Sequence, residues 1–207
     1  MKTFALGIDD TVVRIPAHIG LFYNAELELR QLRLQFLRPA VEDRHQGIML
    51  LTLPGRASSA LHDLEADMGV SLDTEVRNGR VVSAHYDPDA DLMLEKVRDA
   101  REALVARGHS VIRVFAQVAL GDPGFPLAED YFWAESRVNI QLTKTHEVLV
   151  CAYDLSQLPD PALIHGGLET HPSVVIGGRF AKNPAYIAPT DYMRSLLFDI
   201  SSWRPGT

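Results

Sequence analysis

Cysteine is almost missing from this chain: Cys151 is the only one in 207 residues. A single thiol excludes an intramolecular disulfide framework and predicts a reducing, cytoplasmic setting, a reading helped by the absence of an apolar leader core in "MKTFALGIDD". Lysine is nearly as scarce, at positions 2, 96, 144 and 182 only. With a formal charge of −7, the chain lacks the surplus of cations that a broad nucleic-acid footprint requires, so no direct nucleic-acid contact is expected. No run approaches the roughly 20 apolar residues of a membrane span. Internal repeats, low-complexity tracts, His-Glu-x-x-His or Cys-x-x-Cys spacings and a Gly-x-Ser-x-Gly elbow are also missing, which leaves metal and Ser/His/Asp hydrolytic chemistry without a local motif.

What is present is an ordinary globular balance, 46% hydrophobic and 23% charged. The length suits one α/β domain, which we place over 1–207 with its core at about 15–190 and a frayed end at "SSWRPGT". Buried strands show as short continuous apolar runs and helices as a 3.6-residue period. "IMLLTL", "GRVVSAHY", "SVIRVFAQVAL", "HEVLVCAYDL" and "PSVVIGGRF" read as strands. "ASSALHDLEADMG", "DADLMLEKVRDAREALVARG", "LAEDYFWAESRVNIQLTKT" and "PDPALIHGGLETH" read as helices. The long segment that opens with "AHIGLFYN" reads as a few apolar residues leading into a helix that stops near Pro39. This alternation predicts a three-layer α/β fold, a mainly parallel sheet flanked by helices.

Ligands in such folds sit beyond the carboxyl ends of the strands. That rule nominates the turn 54–59, His85, Tyr86, Gln117, Tyr153, Asp154 and the turn 177–179. The turn "LPGRASSAL" invites a phosphate-loop reading, yet it has one glycine and no Lys. Arg56 comes early, and Ser58 and Ser59 are residues that cap a helix. A plain strand-to-helix turn is therefore favoured, with Arg56, Ser58 and Ser59 retained as an anion-binding alternative at a helix start. Cys151 alternates with core residues and reads as a small buried hydrophobe. His165 and Glu169 form a solvated pair four residues apart, and His171 before Pro172 reads as a loop residue. Glu135 in "YFWAESRVNIQL" either lies against apolar surface, where its pKa should rise, or lines the exposed face of the helix with residues 137–139. Tyr23, Tyr86 and Tyr153 lie at element ends and are able to line a pocket.

Five segments in order, "HIGLFYN" (18–24), "FLRPAVEDRHQGIMLLT" (36–52), "AESRVNIQL" (134–142), "VLVCAYDLSQL" (148–158) and "THPSVVIGGRFAKNPAYIAP" (170–189), resemble the MEDS family, the methanogen and methylotroph sensory domain of the dichloromethane-responsive regulator DcmR. The resemblance implies a RecA/KaiC-like core with a degenerate phosphate loop, acting as a sensory or ligand-binding domain. Its pattern carries over to His18, Tyr23, Glu135, Arg137, Asn139, Cys151, Tyr153, Asp154, His171, Pro172, Asn183 and Pro184. The chain departs from it at Gly20 and Ala134, which alters the pocket's shape or ligand.

The expectation is a non-catalytic sensory domain with no cofactor and no metal. It binds an unknown small-molecule ligand through His18, Tyr23, Tyr86, Glu135, Tyr153 and Asp154. It signals through a regulatory protein partner, since an output module has no room here, with a homo-oligomer possible. The competing readings are a residual nucleotide-binding protein or ATPase acting at Arg56, and a pure interaction scaffold.

Overall fold

The apolar run "HIGLFY" folds as a strand, because it lies between two other buried strands and keeps both of its faces from water. The computed structural model describes residues 3–143, 145–158 and 162–194. Lys144, the start of the helix expected at "PDPALIHGGLETH", and the end expected to fray lie outside these residues. The strands are β1 (Thr3–Ala5), β2 (Val12–Arg14), β3 (Ala17–Tyr23), β4 (Gln46–Thr52), β5 (Val81–His85), β6 (Val111–Gln117), β7 (Glu147–Asp154), β8 (Ser173–Ile176) and β9 (Arg179–Lys182). The helices are α1 (Glu26–Glu42), α2 (Ala57–Met68), α3 (Asp73–Arg77), α4 (Ala90–Ala106) and α5 (Ala128–Leu142). A short π-helical turn covers Leu163–Leu168.

Seven strands form the main sheet in the order β5-β4-β6-β7-β3-β8-β9. Every pairing is parallel except β8 with β9. The fold is thus α/β, with a mostly parallel sheet flanked by helices. The side chains of α1 and α2 close one core with Ile19, Leu21, Leu50, Phe115 and Val150. Those of α4 and α5 close the other with Phe22, Met49, Val114, Leu149 and Tyr153. Each fully buried apolar side chain contributes about 1.5–3 kcal/mol, so the two cores together hold the sheet between its helical layers.

Two segments differ from the sequence reading, and the end of α1 falls just beyond Pro39. β3 begins the long segment read as helical: only Asn24 and Ala25 separate the seven-residue strand from the Leu-rich α1, a boundary short enough to miss. α1 runs through Pro39 to Glu42, because burial of Phe36, Leu37 and Ala40 outweighs the one hydrogen bond that proline removes. "PSVVIGGRF" is a hairpin, not one strand; Gly177 (φ 56°) and Gly178 (φ 73°) supply the two positive φ angles of its tight turn. Packing also starts earlier than residue 15, at Leu6, Ile8 and Val13.

Candidate functional site: a buried His, Glu and Cys cluster

Side chains two apart on a strand share a face. His18 and Phe22 on β3 and Cys151 and Tyr153 on β7 therefore face α5, and the register sets Gly20 beside Cys151. α5 lowers Glu135 onto this surface, and the segment before β8 brings in His171. The result is four groups, His18, Glu135, Cys151 and His171, whose ligand-type atoms all lie within 4.8 Å of one another. Exposure is 4%, 4%, 1% and 0%, respectively.

The contacts are specific. Glu135 Oε1 lies 3.0 Å from His171 Nε2 and 3.4 Å from His18 Nε2. The Tyr153 hydroxyl donates to the same oxygen at 3.3 Å. Cys151 Sγ is 3.6 Å from His18 Nε2. The two imidazole rings sit 4.1 Å apart between centroids. Gly20 makes room: a Cβ there would stand 3.2 Å from His171 Cγ and 3.1 Å from Phe22 Cε2.

The outer contacts fix both imidazole tautomers. Asn139 Nδ2 donates to Thr170 O at 2.8 Å, which turns Asn139 Oδ1 toward His18 Nδ1 at 3.1 Å. His171 Nδ1 faces Gly167 O at 2.7 Å and Thr170 Oγ1 at 2.9 Å, while that hydroxyl donates to Gly166 O. Each Nδ1 must therefore carry hydrogen and donate it outward. Each Nε2 is thereby aimed inward at the Glu135 carboxylate. His18 Nε2 lies within reach of the Cys151 thiol, and His171 Nε2 comes to 3.0 Å from the Glu135 carboxylate oxygen.

Burial pushes the Glu135 carboxyl up, but the close approach of the His171 and His18 imidazoles outweighs it and holds the group well below the usual carboxylate range. The rise expected from apolar surroundings is thus reversed, because two imidazoles occupy the space where the sequence suggested only aromatic rings. Burial, and then neighbouring His18, lowers His171. Burial and the Glu135 charge push the Cys151 thiol well above its ordinary value, which opposes a nucleophilic role. The same pair of causes, in the same order, raises Tyr153.

Of the residues nominated from sequence, His18, Glu135 and Tyr153 are brought together. Tyr86 stacks with Phe125 at 4.4 Å in an aromatic group that reaches Tyr131, one helical turn before Glu135. Tyr23 faces the opposite core; its hydroxyl is 3.5 Å from Gln117 Nε2, and burial followed by Asp154 raises its pKa to about 12. Asp154 is occupied in its own turn, accepting from the Ser156 backbone at 2.9 Å and Gln157 Nε2 at 2.9 Å. The hairpin turn at 177–178 borders a cleft of about 380 Å³ with Asp9, Glu28 and Gln31, on the α1 face. His165 and Glu169 do pair, at 3.0 Å, with the imidazole exposed.

At the α2 start, Ser59 Oγ donates to Arg56 O at 2.9 Å, so the hydroxyl is turned into the turn itself, and Ser58 and Arg56 are exposed. The helix that follows the inner strand β3 is less hospitable still to a phosphate. Glu26 and Glu28 occupy its first turn, and Glu28 accepts the Asn24 backbone N–H at 2.9 Å.

The sequence reading treated Cys151 as core and His171 as loop. Cys151 is indeed core, and it also touches His18; His171 is fully buried against Glu135. The usable signal was strand alternation, which places Cys151 and Tyr153 on one face and His18 on the same face of a neighbouring strand. A family model described as the methanogen/methylotroph, DcmR sensory domain matches residues 17–172, a span that includes all four clustered residues. No curated protein matches the chain.

Proposed function

The chain belongs to the MEDS family, the methanogen/methylotroph, DcmR sensory domain, and from that premise we propose a non-catalytic sensory module that reads its signal at the buried His18, Glu135 and Tyr153 cluster. Occupancy of the cluster shifts α5 and residues 162–172 between two arrangements, and a cytoplasmic regulatory protein partner reads the shift. The observation that carries this reading is that the cluster joins four separate pieces of chain, β3, β7, α5 and the segment before β8, through unusually placed polar groups inside an otherwise apolar core. A change in one occupant is felt by all four. To act as a signal, the occupant must favour one arrangement over the other, since equal affinity shifts nothing.

A non-catalytic role is supported by the closed surroundings and by a Cys151 thiol that burial holds protonated. A RecA/KaiC-like ancestry is part of the proposal. Its support is the parallel sheet with helices on both faces, and loss of phosphate binding is supported by the acidic first turn of α1. The net charge of −7 supports signalling through protein rather than direct contact with nucleic acid.

The test is hydrogen exchange on the protein as purified and again after unfolding, desalting and refolding, with native mass spectrometry on both samples. The reading expects a retained mass in the first sample and slower exchange over 128–142 and 162–172 than in the second. Identical exchange with no retained mass would remove it.

A further inference from the structure

We infer that His18, Glu135, Cys151 and His171 form a closed four-coordinate site for one divalent transition-metal ion, with Zn²⁺ the best match. This rests on the cluster being the ligand site of the preceding section and names the chemical class of that ligand; it does not depend on how the signal leaves.

The donor set is two imidazole nitrogens, one carboxylate oxygen and one sulfur. That mixture of borderline and soft donors selects zinc-like cations over Mg²⁺ or Ca²⁺, which take oxygen shells. Tetrahedral bonds of roughly 2.0–2.3 Å put neighbouring donors about 3.3–3.8 Å apart. The separations here are 3.0, 3.4 and 3.6 Å, with all four within 4.8 Å. Closure around an ion therefore needs only small side-chain movements.

The outer contacts make the stronger argument. Metal-binding imidazoles are held by a hydrogen bond from the other ring nitrogen to a carbonyl or carboxylate. Both histidines show this: His18 Nδ1 toward Asn139 Oδ1, and His171 Nδ1 toward Gly167 O. Both Nε2 atoms then converge on one carboxylate oxygen, a set of inward-facing donor atoms that a metal ion is able to take in place of the imidazole protons. His171 Nε2, fully buried, lies 3.0 Å from that oxygen with no hydrogen bond of acceptable geometry among the described residues. Zn²⁺ with one carboxylate and one thiolate is neutral, which suits a site withdrawn from water. On binding, the Cys151 S–H bond breaks, its electron pair goes to the metal and its proton leaves to solvent. Because all four positions are supplied by protein, the ion fixes structure and does not activate water.

The experiment uses the full chain, dialysed against a chelator and titrated with Co²⁺ as the probe. The expected result is saturation at one equivalent, the visible spectrum of a four-coordinate cobalt and a near-ultraviolet thiolate-to-cobalt band, all displaced by Zn²⁺. Cys151→Ser should lose the thiolate band, and Asn139→Ala should bind about 10–100-fold more weakly. His165→Ala, at the exposed His/Glu pair, should titrate like the parent protein. Folded parent protein that takes up no cobalt, or takes it up with no thiolate band, overturns the inference. So does binding that His165→Ala abolishes. A positive cobalt result without the exchange differences of the preceding section would keep the metal site and refute the signalling, so the two failures are separable.

Discussion

Arg113 on β6 and Glu135 on α5 are both charged and both withdrawn from water, one on each face of the sheet. Arg113 is answered entirely by neutral groups. Its Nε donates to Gln46 Oε1 at 3.0 Å, its Nη1 to Leu6 O at 2.6 Å and Phe36 O at 2.7 Å, and its Nη2 to Ala5 O at 2.6 Å. The guanidinium also lies 4.6 Å from the centroid of the Phe4 ring. Burial lowers its pKa only to about 10, so it stays charged and ties the amino-terminal segment to α1 and β6. Glu135 is surrounded instead by groups that titrate or ligate: two imidazoles, a thiol and a phenol. A buried charge matched by backbone carbonyls is a structural tie, whereas one facing two imidazole nitrogens and a thiol is a place for a cation.

The comparison breaks most visibly at Arg113. Arg113→Ala strands three backbone carbonyls and the Gln46 amide in a dry cavity and should destabilise the fold by ~3–5 kcal/mol, measured by urea denaturation, with or without metal. A loss under ~1 kcal/mol would mean that the carbonyls find water and that the tie is weak.

A third buried charge probes the same contrast by pH. Glu147, at the amino end of β7, is raised to about 7 from 4.5 by burial, against an Arg101 Nε that comes only to 3.7 Å. His146, His109 and Arg98 line the same cleft. The folded carboxyl binds its proton more tightly than the unfolded one, so its contribution is greatest below about 4.5 and is lost as pH rises to about 7. Glu147→Gln should therefore match the parent protein near pH 4.5 and exceed it above pH 7 by up to ~3 kcal/mol. Thermal unfolding at both pH values checks this, and a variant that loses stability at high pH would show that Arg101 stabilises the anion.

Smaller effects are expected at the cluster itself. Gly20→Ala pushes a methyl group toward Phe22 and His171; overpacking of this kind costs ~1–3 kcal/mol and should weaken Co²⁺ binding in parallel. Glu135→Gln is the finest test. In metal-free protein the amide is able to donate to an imidazole lone pair, so stability should stay within ~1 kcal/mol of the parent, while the stabilisation by added Zn²⁺ disappears. A large loss without metal would make Glu135 a structural tie like Arg113.

Much of this contrast was legible in the sequence only after folding is known. The continuous runs "IMLLTL" and "VIRVFAQ" announce buried parallel strands because such strands lack a polar face, and both are found as expected. β3 was hidden because only the two residues Asn24 and Ala25 separate its apolar run from the Leu-rich α1. Glu135 and His18 were visible through the family resemblance, and the aromatic segment around Glu135 pointed the same way. Cys151 and His171 belong to the same family pattern, but their meeting with the other two was not legible, since ligand spacing along the chain carries no information when the donors come from strands and loops joined by non-local pairing. The registers Gly20 with Cys151 and Ile19 with Ser173 bring them together, and register is a property of the sheet.

The most direct test of the contrast is X-ray absorption at the zinc edge on protein loaded with one equivalent of Zn²⁺ and desalted. The account predicts one sulfur at roughly 2.3 Å and three nitrogen or oxygen atoms at roughly 2.0–2.2 Å, with the sulfur lost in Cys151→Ser. Zinc that washes out, or a shell without sulfur, would contradict it and leave Glu135 as a buried charge of the same kind as Arg113.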